Sequence, residues 1–221
     1  MRRVVVGTRS EHKLAEIREI LREAGLDLDV VGPGDLGIPP AAEEDELEPW
    51  ESFEENALSK ARHFHRLTGL PTLSDDSGLV VDALGGAPGV HSKRYSPAAR
   101  SGEVTGTTLD QANNEHLLHA LRGVPEERRR ARYLCVVAWI APGGREDVVR
   151  GEVEGRIAEV PSGSFGFGYD PLFFVPTLGC TFGEARPDQK HARSHRGRAF
   201  RAIVPYLQRD LAEARDDVRR D

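Results

Sequence analysis

The start of the chain constrains the fold most. Val4, Val5 and Val6 run into Gly7, and after a polar segment Leu14, Ile17, Ile20, Leu21 and Ala24 recur at helical spacing until Gly25. A short apolar run reads as a buried strand and the 3.6-residue recurrence as a helix with one buried face, so the chain opens as strand, loop, helix. The apolar run is too short for a signal peptide or a membrane span, because Thr8 and Arg9 interrupt it. The same signals predict strands over 28–31, 70–73, 79–81, 132–140, 147–153 and 172–175. They predict helices over 52–67, 110–121 and 198–215, with Pro205 able to kink the last. Ser52 and Glu55 have capping-box spacing at the start of the second helix. Loops fall at Gly32-Pro33-Gly34 with the acidic stretch 43–48, at 85–89, and at the glycine-broken segment 165–169. The pattern is mixed α/β, and with no repeat or linker residues 1–221 read as one domain.

The formal net charge of −6 gives no sign of a nucleic-acid or membrane surface. Basic residues do gather locally, since Arg186, Lys190, Arg193, Arg196, Arg198 and Arg201 face only Asp188 over 186–201. That stretch is either a solvated face or a phosphate-binding rim. Cys135 and Cys180 lack the paired spacing of metal or redox motifs, so both read as small apolar residues in a reducing, cytoplasmic setting.

Five segments carry residues suited to chemistry. Thr8, Arg9, Ser10, Glu11, His12 and Lys13 lie where the first strand meets the first helix; helix-start amides, two hydroxyls and an ammonium suit a phosphate. The alternative is Ser10 as an ordinary N-cap with Lys13 in solvent. Asp75 and Asp76 stand where a strand runs into a Ser77-Gly78 turn, and adjacent carboxylates there can hold a hard cation and orient water, or simply make an Asx turn. Glu48 can reach the same cation, Lys60 a phosphate, and Asn56 lies one helical turn from Lys60. In the string Phe165-Gly166-Phe167-Gly168-Tyr169-Asp170, glycines let backbone approach a flat ligand, a ring can stack on it, and Asp170 can accept from a base edge; a strand end with core aromatics is the alternative. Lys190, His195 and Arg196 supply donors for a carbonyl oxygen or a phosphate, or form a basic helix flank.

Taken in order, these segments resemble the inosine/xanthosine triphosphate pyrophosphatase family. The strings that carry the resemblance are Phe53-Glu54-Glu55-Asn56-Ala57 with Lys60-Ala61, Asp75-Asp76-Ser77-Gly78-Leu79, Leu84-Gly85-Gly86-Ala87-Pro88-Gly89, Phe167-Gly168-Tyr169-Asp170-Pro171 and Ser194-His195-Arg196-Gly197. The chain departs from the family's Thr-Gly-Asn at Thr8-Arg9-Ser10, and Trp50 stands where the family has glycine. The resemblance implies a long mixed β-sheet with flanking helices, two lobes around a nucleotide-binding cleft, and a homodimer. It further implies Mg²⁺-dependent hydrolysis of inosine, deoxyinosine and xanthosine triphosphates (ITP, dITP and XTP) to the monophosphate and pyrophosphate. Asp76 would be base and metal ligand, Glu48 a second ligand and Asp75 a support. Lys13, Lys60, Lys190 and the 8–13 loop would hold the triphosphate, with Asn56 and Ser77 beside it.

His195 and Arg196 would read the 6-keto acceptor that these bases carry where adenine has an amino donor, and residues 167–170 would exclude the 2-amino group of guanine. A nucleotide-sensing protein without turnover and a pyrophosphatase for other modified nucleotides are the rival readings.

Overall fold

The computed structural model describes residues 2–217. Seven strands form one mixed sheet: β1 (Arg2–Val6), β2 (Leu28–Val31), β3 (Thr72–Val81), β4 (Arg130–Ile140), β5 (Glu146–Ile157), β6 (Phe173–Val175) and β7 (Cys180–Thr181). Their order is β2-β1-β3-β4-β5-β6-β7. β1 pairs parallel to β2 and β3, as short strands joined through helices must, while β5, β6 and β7 pair antiparallel. The helices are α1 (Glu11–Glu23), α2 (Phe53–Thr68), α3 (Pro97–Ser101), α4 (Gly106–Ala120), α5 (Pro187–Arg193) and α6 (His195–Asp217). Among the described residues no helix is long and apolar enough to cross a membrane.

The chain divides into two compact units. The first comprises residues 1–76, 135–151 and 196–221; the second comprises 77–134 and 152–195. In the first, strand alternation sends Val4 and Val6 into a core with Leu14, Ile17, Ile20, Leu21, Leu73, Val137, Trp139 and Phe200, while Val5 faces Phe64 and Val31. Gly7 follows because a Cβ there would lie 2.6 Å from the Phe64 ring. In the second, Leu79, Leu117, Tyr133, Tyr169, Phe173 and Phe182 share a core. Cys135 is buried in the first and Cys180 is partly buried against the second, both as free thiols.

Three expectations change. The stretch 72–81 is one strand, β3, and no turn interrupts it at Ser77-Gly78. Asp75 and Asp76 find charged partners within the first unit, so the ladder continues through them. The last helix begins at His195, which places His195 and Arg196 in its first turn. Pro205 lies inside that helix without ending it. The basic stretch is not one face. Arg186 pairs with Asp188, Lys190 with Asp170, and Arg196 with Glu16 and Asp75.

Candidate active site

In the first unit the site begins at the N-terminus of α1. Ser10 is the N-cap, its hydroxyl accepting from the Lys13 amide at 3.4 Å, and the Thr8 hydroxyl accepts from the Ser10 amide at 3.2 Å. Lys13 does not run into solvent, because its Nζ lies 3.3 Å from Asp75 Oδ2. The Glu11 and His12 side chains are exposed. Arg9 turns away from the loop. Its Nε and Nη2 fork onto the Glu44 carboxylate, Nη1 donates to Ile38 O at 2.6 Å and Nη2 to Pro39 O at 2.9 Å. The guanidinium thereby ties the 38–44 segment to the 8–13 loop.

Period-two alternation along β3 sends its two acids to opposite sides. Asp75, 2% exposed, shares Oδ2 with Lys13 and with Arg196 Nε and Nη2, both at 3.4 Å. Arg196 is itself buried and donates from Nη1 to Glu16 Oε2 at 2.6 Å. Burial alone would push the Asp75 carboxyl up, but Lys13 and Arg196, with Lys60 behind them, hold it far below the usual carboxylate range. Burial also opposes the charge on Arg196, and Glu16 and Asp75 overcome it. Arg196, expected to read a base, donates to two buried carboxylates, Glu16 and Asp75.

Asp76 faces α2. Its Oδ2 accepts from Asn56 Nδ2 at 3.2 Å and its Oδ1 lies 3.4 Å from Lys60 Nζ, which also contacts Glu48 Oε1. Burial raises the Asp76 carboxyl above its ordinary value; Lys60 opposes this and the like charge of Glu48 adds to it. Burial works against the Lys60 ammonium, yet Asp76, Glu48 and Asp75 raise it, so it stays charged. Asn56 also grips both backbone groups of Trp50 at 3.0 Å, fixing the segment just after Glu48. Trp50 thus contributes through its main chain; nothing in the structure explains its half-exposed indole.

Among the described residues no three carboxylate, imidazole or thiol groups form a ready metal cage. Two carboxylates meeting at one ammonium do fit Mg²⁺, which keeps most of its waters and takes one or two protein carboxylates.

In the second unit, Asp170 Oδ2 accepts from the Phe167 amide at 2.9 Å and from Lys190 Nζ at 2.7 Å. Gly166 has φ +75°, and a Cβ on it would meet Asp170 Oδ2 at 2.0 Å, so only glycine lets this loop close over the carboxylate. Lys190 Nζ lies 4.9 Å from the Phe167 ring centroid. The Tyr169 hydroxyl donates to Ser92 O at 2.7 Å. His195 is buried and stacks on Tyr133, with centroids 4.6 Å apart and planes 8° from parallel. Ser77 is half-buried on β3.

Sequence reasoning missed Glu16, Glu44 and Tyr133. Each is an ordinary helix, loop or strand residue until its distant partner is known. A surface concavity lined by Asp82, Glu126, Arg130, Arg132, Glu154 and Arg156 contains none of the candidate residues, and in it Arg132 pairs with Asp82 and Arg156 with Glu126.

The fold is mixed α/β, and its first unit carries a cluster of buried acids ion-paired with lysines, an arrangement suited to an enzyme of phosphate chemistry. The sequence model of the Ham1 family matches residues 4–206, and the chain belongs to that family. It is 49% identical over 208 residues to the dITP/XTP pyrophosphatase of Nocardia farcinica, covering 94% of this chain and 95% of that protein. It is 46% identical over 207 residues to the dITP/XTP pyrophosphatase of Geobacter sulfurreducens, covering 94% and 97%. Among solved structures it is similar to a HAM1 protein from Coxiella burnetii, with TM-score 0.78 and 36% identity over 95% of this chain and 100% of that one. A nucleoside-triphosphatase (dITP/XTP pyrophosphatase) from Mycobacterium abscessus matches with TM-score 0.66 and 40% identity, covering 93% of this chain and 99% of that one.

Proposed function

We propose that residues 1–221 act as one Mg²⁺-dependent pyrophosphatase domain that hydrolyses ITP, dITP and XTP to the nucleoside monophosphate and pyrophosphate. The observation that carries this reading is the meeting of Asp76 and Glu48 at the Lys60 ammonium, in a chain nearly half identical to named dITP/XTP pyrophosphatases over almost its full length. Asp76 and Glu48 would hold Mg²⁺, which when bound neutralises phosphate oxygens and makes water more acidic. Asp76, fixed by Asn56 and raised by burial, takes the proton of the attacking water. As the new oxygen–phosphorus bond forms at the α-phosphorus, the bond to the β-phosphate oxygen breaks and pyrophosphate leaves with that electron pair. Lys13 and Lys60, each beside a buried carboxylate, stabilise the charge on the leaving group, and the α1 amides cradle it. Asp75 takes no proton; with Arg196 it fixes Lys13.

On the base side, His195 presents its imidazole to the 6-keto oxygen and Phe167 stacks on the ring. Lys190 and Asp170 brace that loop from beneath. A homodimer belongs to the same reading on the strength of the resemblance, and sedimentation would read it directly. The free thiols support a reducing, cytoplasmic setting. Pyrophosphate release from ITP, XTP, GTP, ATP and CTP, each with Mg²⁺ and with chelator, tests the whole proposal. Metal-dependent release confined to ITP and XTP is expected. Equal release from all five would discard base selection, and tight ITP binding without release would make the protein a sensor.

A further inference from the structure

Gly168 sits at the centre of the loop that carries Phe167, and one turn of α4 grips its backbone from both sides. Asp110 Oδ2 accepts from the Gly168 amide at 2.7 Å, and Asn114 Nδ2 donates to the Gly168 carbonyl at 3.0 Å. Asp110 and Asn114 are four residues apart, so they share one face of the helix. The polarity is matched, with a pure acceptor opposite N–H and an amide donor opposite C=O. Asn114 Oδ1 is buried and accepts no hydrogen bond, so the amide is held in this orientation at the expense of its other end. Its neighbour Asn113 is spent differently, accepting from the Ser96 amide at 2.8 Å and donating to Lys93 O at 3.0 Å. From the far side, the Phe167 amide is held by Asp170 and the Tyr169 hydroxyl by Ser92 O. The peptide groups of Phe167 and Gly168 are therefore fixed, with the Tyr169 side chain anchored beside them, and the Phe167 ring has little left to adjust except its own torsions.

We propose that Asp110 and Asn114 are positioning residues that clamp Gly168 and hold the Phe167 ring ready for a purine base, so that they set affinity for the base without touching the phosphates. This rests on the reading of Phe167 as the base platform. A preset ring spares the complex the ordering that a mobile loop would require on binding.

Exchanging the two residue types separates clamp polarity from bulk. Asp110→Asn keeps an acceptor oxygen for the Gly168 amide, whereas Asn114→Asp puts a carboxylate against the Gly168 carbonyl and Asp110→Ala removes the acceptor. Asn114→Asp and Asp110→Ala are each expected to raise KM for ITP about ten-fold, the loss of roughly one good hydrogen bond, with kcat within about two-fold of wild type. Asp110→Asn should stay near wild type. Inorganic tripolyphosphate, which has no base, should compete equally well against all four proteins. Calorimetric binding of ITP and of tripolyphosphate in Ca²⁺ gives the same comparison without turnover. A wild-type protein that binds ITP but releases no pyrophosphate would end the proposed reaction and leave the clamp to be decided by those affinities. Parallel loss of tripolyphosphate binding, equal damage from Asp110→Asn and Asp110→Ala, or unchanged ITP affinity in both damaging variants would overturn the clamp. Should Asn114→Asp fail to fold, the two Asp110 variants carry the test.

Discussion

Replacing Arg196 by Met removes a buried charge and little volume, and it isolates what the ion network in the first unit contributes. Arg196 lies between Glu16 at 2.6 Å and Asp75 at 3.4 Å, and all three side chains are almost fully buried. Without it Glu16 and Asp75 each lose a buried guanidinium partner. Breaking a buried pair from one side costs about 3–5 kcal/mol. At about 2–4 °C per kcal/mol for a chain of this size, Tm should fall by roughly 6 to 20 °C. The pH dependence supplies the sign. In the wild type the Asp75 carboxyl is depressed in the folded state, so its contribution is present above the ordinary carboxylate value and is lost only as pH falls below it. In the variant burial acts with less opposition, the folded-state values rise, and the destabilisation is greatest where the groups are charged. The gap in Tm between wild type and variant, read by circular dichroism in chelator, should therefore narrow from about pH 8 to about pH 5. A Tm within a degree or two of wild type, or a gap constant across that range, would refute the argument that Arg196 acts by compensating these charges.

Asp76→Asn keeps the shape and one acceptor oxygen but turns a donor toward Asn56 or Lys60 and cannot take a proton, so pyrophosphate release should fall more than about 100-fold while circular dichroism shows the fold retained; a wild-type rate would remove Asp76 from the reaction. Arg9→Ala releases the 38–44 segment, and limited proteolysis there should run about ten-fold faster. Arg9→Lys should not restore protection, because an ammonium cannot fork onto Glu44 while reaching two carbonyls. Trp139→Phe removes the 2.8 Å hydrogen bond from the indole to buried Asp210 but leaves that carboxylate its Arg145 and Arg209 partners. A loss of about 2 kcal/mol, or roughly 4–8 °C in Tm, should follow; an unshifted melt would show the indole bond to be dispensable.

What the sequence disclosed followed from local physics. The α1 stripe Leu14, Ile17, Ile20 and Leu21 is buried as its spacing requires, and Ser10 and Ser52 cap the helices they precede. Lys13, Lys60, Asp75 and Asp76 were recognisable as charged residues in places that demand explanation. Their partners were not, because periodicity says which face is buried and not what lies opposite. Arg196 meets Glu16 from 180 positions away, Gly168 meets Asp110 across 58, and Tyr133 meets His195 between two different elements. Arg9 shows the same limit at short range. Nothing in Thr8-Arg9-Ser10 reveals that its guanidinium is spent on Glu44. The acidic pair misled in another way, since Asp, Ser and Gly favour turns, yet β3 stays extended through them, hydrogen-bonded to its neighbours in the sheet and with its two acids ion-paired.

That unbroken strand makes the number of residues as important as their kind. Leu73 and Asp75 point to one side of β3, toward Cys135 and Lys13; Ser74 and Asp76 point to the other, where the Ser74 hydroxyl donates to Gly7 O at 3.1 Å. Inserting one residue ahead of Ser74 would set Ser74 against Arg196 and Asp75 against Lys60, and deleting one would set Asp76 against Arg196 and Ser77 against Lys60, so either change takes a carboxylate from one of the two cations. The length of the segment 72–76 is therefore constrained as tightly as the two acids it carries.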